Sequence, residues 1–240
     1  MRLRRKQNTD EWLKSQGRLV VLQPESLRGR WKDYFGSDRP IHVELGMGKG
    51  KFISELSRMH PEINFIGIDM YDELIRRAGE KAMAMRNAAD ASEIGNLCLV
   101  RWNISRIEQV FAESEVERIY LNFSDPWPKN RHAHRRLTHP VFVRKYLNML
   151  NERGEIHFKT DSRSLFEFSL NVFADLGLQM RNISLDVHAM GTPPGHIFTE
   201  YESKFVEQGM PIYRLEVVVG SEALEAHRRK LIESEKTKNR

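Results

Sequence analysis

The 240-residue chain has a single cysteine, Cys98. That excludes an internal disulfide framework, a four-cysteine zinc site and an iron–sulfur cluster, and it suits a reducing compartment. A cytoplasmic location is the expectation. Long apolar runs are also missing: the stretch around Val217 to Val219 is far below the roughly 18 residues of a membrane-spanning helix. No membrane partner is expected. The basic start, Met1-Arg-Leu-Arg-Arg-Lys6, leads into polar residues, so it reads as a solvated tail or a phosphate-contacting arm and not as a signal peptide. Acidic residues are absent from one long stretch, Pro126 to Asn151, within a chain that carries 38 Lys and Arg against 33 Asp and Glu. The formal charge of +5 favours an anionic partner. No metal site is expected, and monomer and homodimer stay open.

What is present is a repeating strand and helix pattern in a chain that is 40% apolar. Ile41-His-Val-Glu-Leu45 reads as a strand, and Lys51 to Met59 carries Phe52, Ile53 and Leu56 at helical spacing. Asn64 to Asp69 reads as a second strand, followed by a helix from Asp72 to about Asn87. Leu97–Arg101, Arg118–Phe123 and Glu155–Lys159 supply three more strands, and Tyr213–Val219 a late one of undetermined direction. Alternation of this kind implies an α/β fold with a doubly wound, mostly parallel sheet. The expected division is an N-terminal basic arm and lead-in over 1–36, a single domain over 37–220 and a charged tail over 221–240.

In such sheets ligands bind beyond the carboxyl ends of the strands. After the first strand stands Glu44-Leu-Gly46-Met-Gly48-Lys-Gly50, whose glycines permit a tight turn and close ligand approach at a helix N-terminus. The dinucleotide fingerprint G-x-G-x-x-G fails, because Lys51 stands at the third glycine's place. Asp69, at the end of the second strand, suits the two hydroxyls of a ribose, whereas Glu44 beside the glycines would repel a pyrophosphate. A ligand with a ribose and cationic centres but no phosphate, S-adenosylmethionine, satisfies these features.

After the fourth strand comes Asn122-Phe-Ser-Asp125-Pro-Trp-Pro-Lys129, where two prolines and a tryptophan stiffen the loop that holds Asp125. Lys129, Arg131, His132, His134, Arg135, Arg136, His139, Arg144 and Lys145 follow without an acid among them. A patch of one sign beside a ligand loop suits contacts to nucleic-acid phosphates.

Together, Glu44 to Gly50, Phe65-Ile-Gly-Ile-Asp69, Tyr120 to Lys129, Phe158-Lys-Thr-Asp161 and Thr199-Glu-Tyr-Glu202 resemble the bacterial tRNA (guanine-N7)-methyltransferase family. The resemblance implies a class I S-adenosylmethionine-dependent methyltransferase fold with a seven-stranded sheet, its last strand antiparallel. It also implies methyl transfer to N7 of a guanine in the tRNA variable loop. Position by position, it implies cofactor contacts from Glu44, Gly46, Gly48, Asp69, Asn103 and Asp125. Substrate contacts would come from Lys129, Asp161, Thr199, Glu200, Tyr201 and Glu202, and RNA contacts from Arg131, His132, His134, Arg135 and Arg136. Guanine N7 carries a lone pair and no proton, so Asp125 is expected to orient the base and stabilise its developing charge, not to act as a general base. Other acceptors, a non-catalytic RNA-binding module and a nicotinamide enzyme are the rival readings; the last fits the glycine spacing poorly.

Overall fold

A computed structural model describes residues 7–88 and 90–238. Met1 to Lys6, the expected basic arm, lie outside them. In chain order the elements are α1 (Thr9–Ser15), β1 (Val20–Val21), α2 (Trp31–Phe35), β2 (Ile41–Leu45), α3 (Lys51–Met59), β3 (Asn64–Asp69), α4 (Asp72–Arg86) and β4 (Leu97–Arg101). They continue through β5 (Val116–Asn122), α5 (Pro140–Met149), β6 (Leu150–Thr160), α6 (Arg163–Asp175), β7 (Gln179–Ser184), α7 (Glu200–Glu207), β8 (Tyr213–Val218) and α8 (Ser221–Lys238).

Strands β2 and β3 are buried along their whole length, as central parallel strands covered on both faces must be. The sheet order is β1-β4-β3-β2-β5-β6-β8-β7, and among these strands β8 alone runs antiparallel to its neighbours. Eight strands are present where seven were expected. The extra one is the two-residue β1, which adds to the β4 edge through Val20 opposite Leu99. It is too short to leave a periodic signal. Strand β7 leaves none either, because Gln-Met-Arg-Asn-Ile-Ser at a solvated edge has no apolar alternation.

The lead-in to the sheet is packed, not loose. Leu13, Leu19 and Trp31 are buried, and the Trp31 indole donates to the Val110 carbonyl at 2.9 Å. Helices α3 and α4 approach closely at Gly50, whose φ is +72° and whose added Cβ would lie 2.4 Å from the Ala78 Cβ. Only glycine meets both demands. That approach fixes where the turn after β2 enters its helix.

Strand β2 pairs with β3 on one side and β5 on the other, so the strand order reverses there. The carboxyl ends around this switch point gather the turn after β2, Asp69 and the Asn122–Asp125 loop.

Candidate active site

Glu44 and Asp69 occupy neighbouring strand ends in different states. Glu44 is 2% exposed, and its Oε1 accepts from Asn122 Nδ2 at 2.9 Å while its Oε2 is buried with no partner among the described residues. Burial pushes its carboxyl up to about 8, against the opposing pull of Asn122 and Lys159. Asp69 accepts from the N–H of Gly48 at 3.1 Å through Oδ2 and from that of Tyr71 at 3.2 Å through Oδ1. Its carboxyl is also raised, first by burial, with the charge of Asp125 adding to it. The turn after β2, Asp69 and Asp125 therefore share one electrostatic site. Asn103 stands after β4, exposed, and its side chain accepts from Ser105 N–H at 3.0 Å as a helix cap.

The loop after β5 is held under strain. Phe123 and Trp127 have φ of +51° and +41°, in a region that non-glycine residues rarely occupy. Asp125 is exposed between them. The loop keeps this shape through Arg136, whose guanidinium donates at 3.0 Å to the carbonyls of both Pro126 and Trp127 and lies 4.4 Å from the centre of the Phe168 ring. Arg136 is 7% exposed, and the two bonds its guanidinium donates go to the loop's own carbonyls. Lys129, Arg131, His134 and Arg135 stay at the surface, in or beside a 3-10 turn over Asn130–Arg135 that buries no residue. Arg135 stacks 4.9 Å from the Trp127 ring centre, and His132 meets the same ring edge-on.

Thr199 caps α7, and Glu200 to Glu202 form its first turn. Thr199 Oγ1 accepts from the Glu202 N–H at 3.0 Å, and the Glu202 carboxylate reaches back to the Thr199 N–H, a reciprocal capping box. Glu202 is fully buried and also accepts from Lys159 Nζ at 2.8 Å. Burial alone would raise its carboxyl, but the bonds from His196 and Lys159 outweigh burial and bring it down to about 2. These bonds engage Thr199 Oγ1 and Glu202 Oε2 within the protein. Glu200 pairs with Lys81 on α4, and Tyr201 is 55% exposed against Phe205. Asp161, just past β6, is half-buried, with its carboxyl raised by burial.

Lys159 lies within the Phe158-Lys-Thr-Asp161 piece of the resemblance, yet no role was expected of it. This buried cation borders a cavity of about 240 Å³ together with Phe52, Tyr120, Asn122, His196 and Arg214. Burial lowers its ammonium below the usual lysine range despite the Glu202 contact. A lysine set between Phe158 and Thr160 at the end of a strand was the available signal.

A doubly wound sheet reversed only at β8, with its carboxylates converging on the β2/β5 switch point, is the architecture of the class I S-adenosylmethionine-dependent methyltransferases, and this chain has that fold. Residues 38–215 match a family model described as "Putative methyltransferase". A tRNA (guanine-N(7)-)-methyltransferase of Lysinibacillus sphaericus is 45% identical over 90% of this chain and 97% of its own. One of Streptococcus pyogenes serotype M6 is 46% identical over 90% and 99%. Among solved structures, the 16S rRNA methyltransferase KamB superposes with a TM-score of 0.60 at 11% identity, covering 80% of this chain and 93% of that one. The chain belongs to the tRNA (guanine-N(7)-)-methyltransferase family.

Proposed function

We propose that the protein transfers a methyl group from S-adenosylmethionine to N7 of a guanine in the tRNA variable loop, giving 7-methylguanosine. The observation that carries this reading is the join between an acidic strand-end site at Glu44, Asp69 and Asp125 and the exposed basic turn over Asn130–Arg135. One side suits a cationic ligand and a base edge, the other a phosphate backbone.

The residues fit the cofactor. Beside Gly48, whose φ is +57°, an added Cβ would meet nothing within 4 Å, so the turn is open to an approaching ligand. Glu44 Oε2 accepts no hydrogen bond among the described residues, which leaves it capacity for a ligand's donor. Asp69 would hold the ribose hydroxyls, Asn103 the adenine edge through its amide, and Asp125 the cationic end, whose charge would draw the protonated Glu44 beside it into its ionised form. When bound, S-adenosylmethionine supplies a sulfonium methyl as the electrophile.

The chain's own part is alignment. Guanine N7 needs no base, so no side chain has to take a proton in the methyl-transfer step. The ring becomes cationic as it is alkylated. Asp125, fixed by the strained loop and its Arg136 clamp, would accept from the N1 and exocyclic amino donors and stabilise that charge more in the transition state than in the ground state. Lys129, Arg131, His132, His134 and Arg135 would track the phosphates. Arg135 lies over Trp127, so RNA binding at the turn would be felt at the catalytic loop. Incubation with S-adenosylmethionine carrying a labelled methyl and unmodified tRNA tests the reading. Label in the tRNA supports it, and label absent from tRNA with a cofactor that binds would overturn it.

A further inference from the structure

Two groups of histidines and carboxylates bring three potential metal donors within 4.8 Å of one another: His188, His196 and Glu202, and Glu155, His157 and Glu216. Their surroundings separate them. Glu155 and Glu216 already accept from Arg118, Arg181 and Arg214, three guanidiniums that repel a cation. In the other group the lysine or arginine paired with the carboxylate, among the described residues, is Lys159, and it sits on the far oxygen, Glu202 Oε2.

We propose that His188, His196 and Glu202 form a binding site for one Zn²⁺ ion, which ties the segment over 186–198 to α7 above the cavity. His188 Nε2 lies 3.0 Å and His196 Nε2 2.6 Å from the same atom, Glu202 Oε1. A tetrahedral zinc with bonds of about 2.0–2.1 Å sets its donors roughly 3.3 Å apart, so a small outward shift admits the ion. The two imidazoles meet edge-to-face at 5.0 Å between ring centres and converge on the oxygen without stacking on each other. Glu202 is held from behind by Lys159 and by the Thr199 N–H, which leaves Oε1 aimed at the histidines. Thr192 Oγ1 stands 3.4 Å from His188 Nδ1, the outer partner that commonly orients a metal-bound imidazole.

Two imidazoles and a carboxylate with a fourth position open form a donor set suited to zinc, and His196 also lines the cavity. The described residues between β7 and α7 form no helix or strand, and the ion would give this long connection an anchor. The Lys159 charge weakens a cation here. The spacing His-x7-His-x5-Glu matches no short metal motif, so the site emerges only when the fold brings the three residues together.

The full chain, stripped with a chelator and dialysed, is titrated with Zn²⁺ alone by calorimetry. About one equivalent is expected, weakened about tenfold or more in His188→Ala and in His196→Ala, with His60→Ala as a control that leaves it unchanged. X-ray absorption at the zinc edge should report two imidazoles bound to the metal, and amide exchange over 186–198 should slow on addition of the ion. Circular dichroism establishes that the variants are folded. Binding that survives loss of both histidines, or no binding below millimolar zinc in the folded wild type, overturns the proposal and leaves the three residues as a hydrogen-bonded cap.

Discussion

The Gly48 N–H donates to Asp69 Oδ2 at 3.1 Å, linking the turn after β2 to the end of β3 across the mouth of the site. Asp69 thus holds the turn's shape while keeping capacity for a ribose, since a carboxylate accepts about four hydrogen bonds.

Asp69→Ala should therefore weaken S-adenosylmethionine chiefly, raising its Kd by about tenfold or more while leaving tRNA affinity near wild type. Calorimetric titration of each ligand measures the split. A loss of tRNA affinity with cofactor binding intact would exchange the roles given to the two surfaces.

Arg136 and its neighbours should separate cleanly. Arg136→Ala removes two charge-assisted bonds to the Pro126 and Trp127 carbonyls, so it should cost about 2 kcal/mol of stability and lower turnover while the salt dependence of tRNA binding stays unchanged. Neutralising Arg131 and Arg135 should do the opposite, flattening the slope of log affinity against log salt by about one for each phosphate no longer neutralised. A flattened slope in the Arg136 variant would return that residue to the RNA surface.

Gly50→Ala should destabilise the domain by about 2 kcal/mol or more, because the methyl meets Ala78 at 2.4 Å and the backbone sits at φ +72°. Denaturant unfolding checks it, and a neutral result would show that α3 and α4 can separate freely.

Stability should depend on pH from both sides. Burial alone would raise Glu155 and Glu202, but bonds from their histidine and cationic partners outweigh it and lower each to about 2. Their contribution is therefore present above the usual 4.5 and is lost as pH falls from there toward 2. Glu44, raised by burial to about 8, works in the other direction: it stays protonated in the fold, and stability declines as pH rises from about 4.5 to about 8. Glu155→Gln should flatten the acid limb and Glu44→Gln the alkaline one in thermal unfolding followed across pH. Unchanged limbs would contradict these protonation states.

Much of the fold was legible in the sequence. The bounds of β2, α3, β3 and β4 match the apolar runs from Ile41 to Arg101, because buried parallel strands and amphipathic helices print their periodicity directly. Strand β7 did not, since edge strands need no apolar face. The strand-end carboxylates were visible because topology alone places them. Burial was not: Arg136 reads as one more cation in a basic run, and nothing local reveals that its guanidinium faces two carbonyls. Thr199 and Glu202 are a different case, for Thr-x-x-Glu ahead of an apolar stretch is itself a capping-box pattern. The family resemblance points to their position and is silent on their local hydrogen bonds.

Methylation at one defined atom is the central claim, and chemical cleavage of tRNA at 7-methylguanosine reads it most directly. After reaction with S-adenosylmethionine, cleavage is expected at a single guanine of the variable loop, and to be lost with Asp125→Ala although cofactor still binds. Methylated tRNA that resists this cleavage, or cleavage at wild-type level with Asp125→Ala, would contradict it.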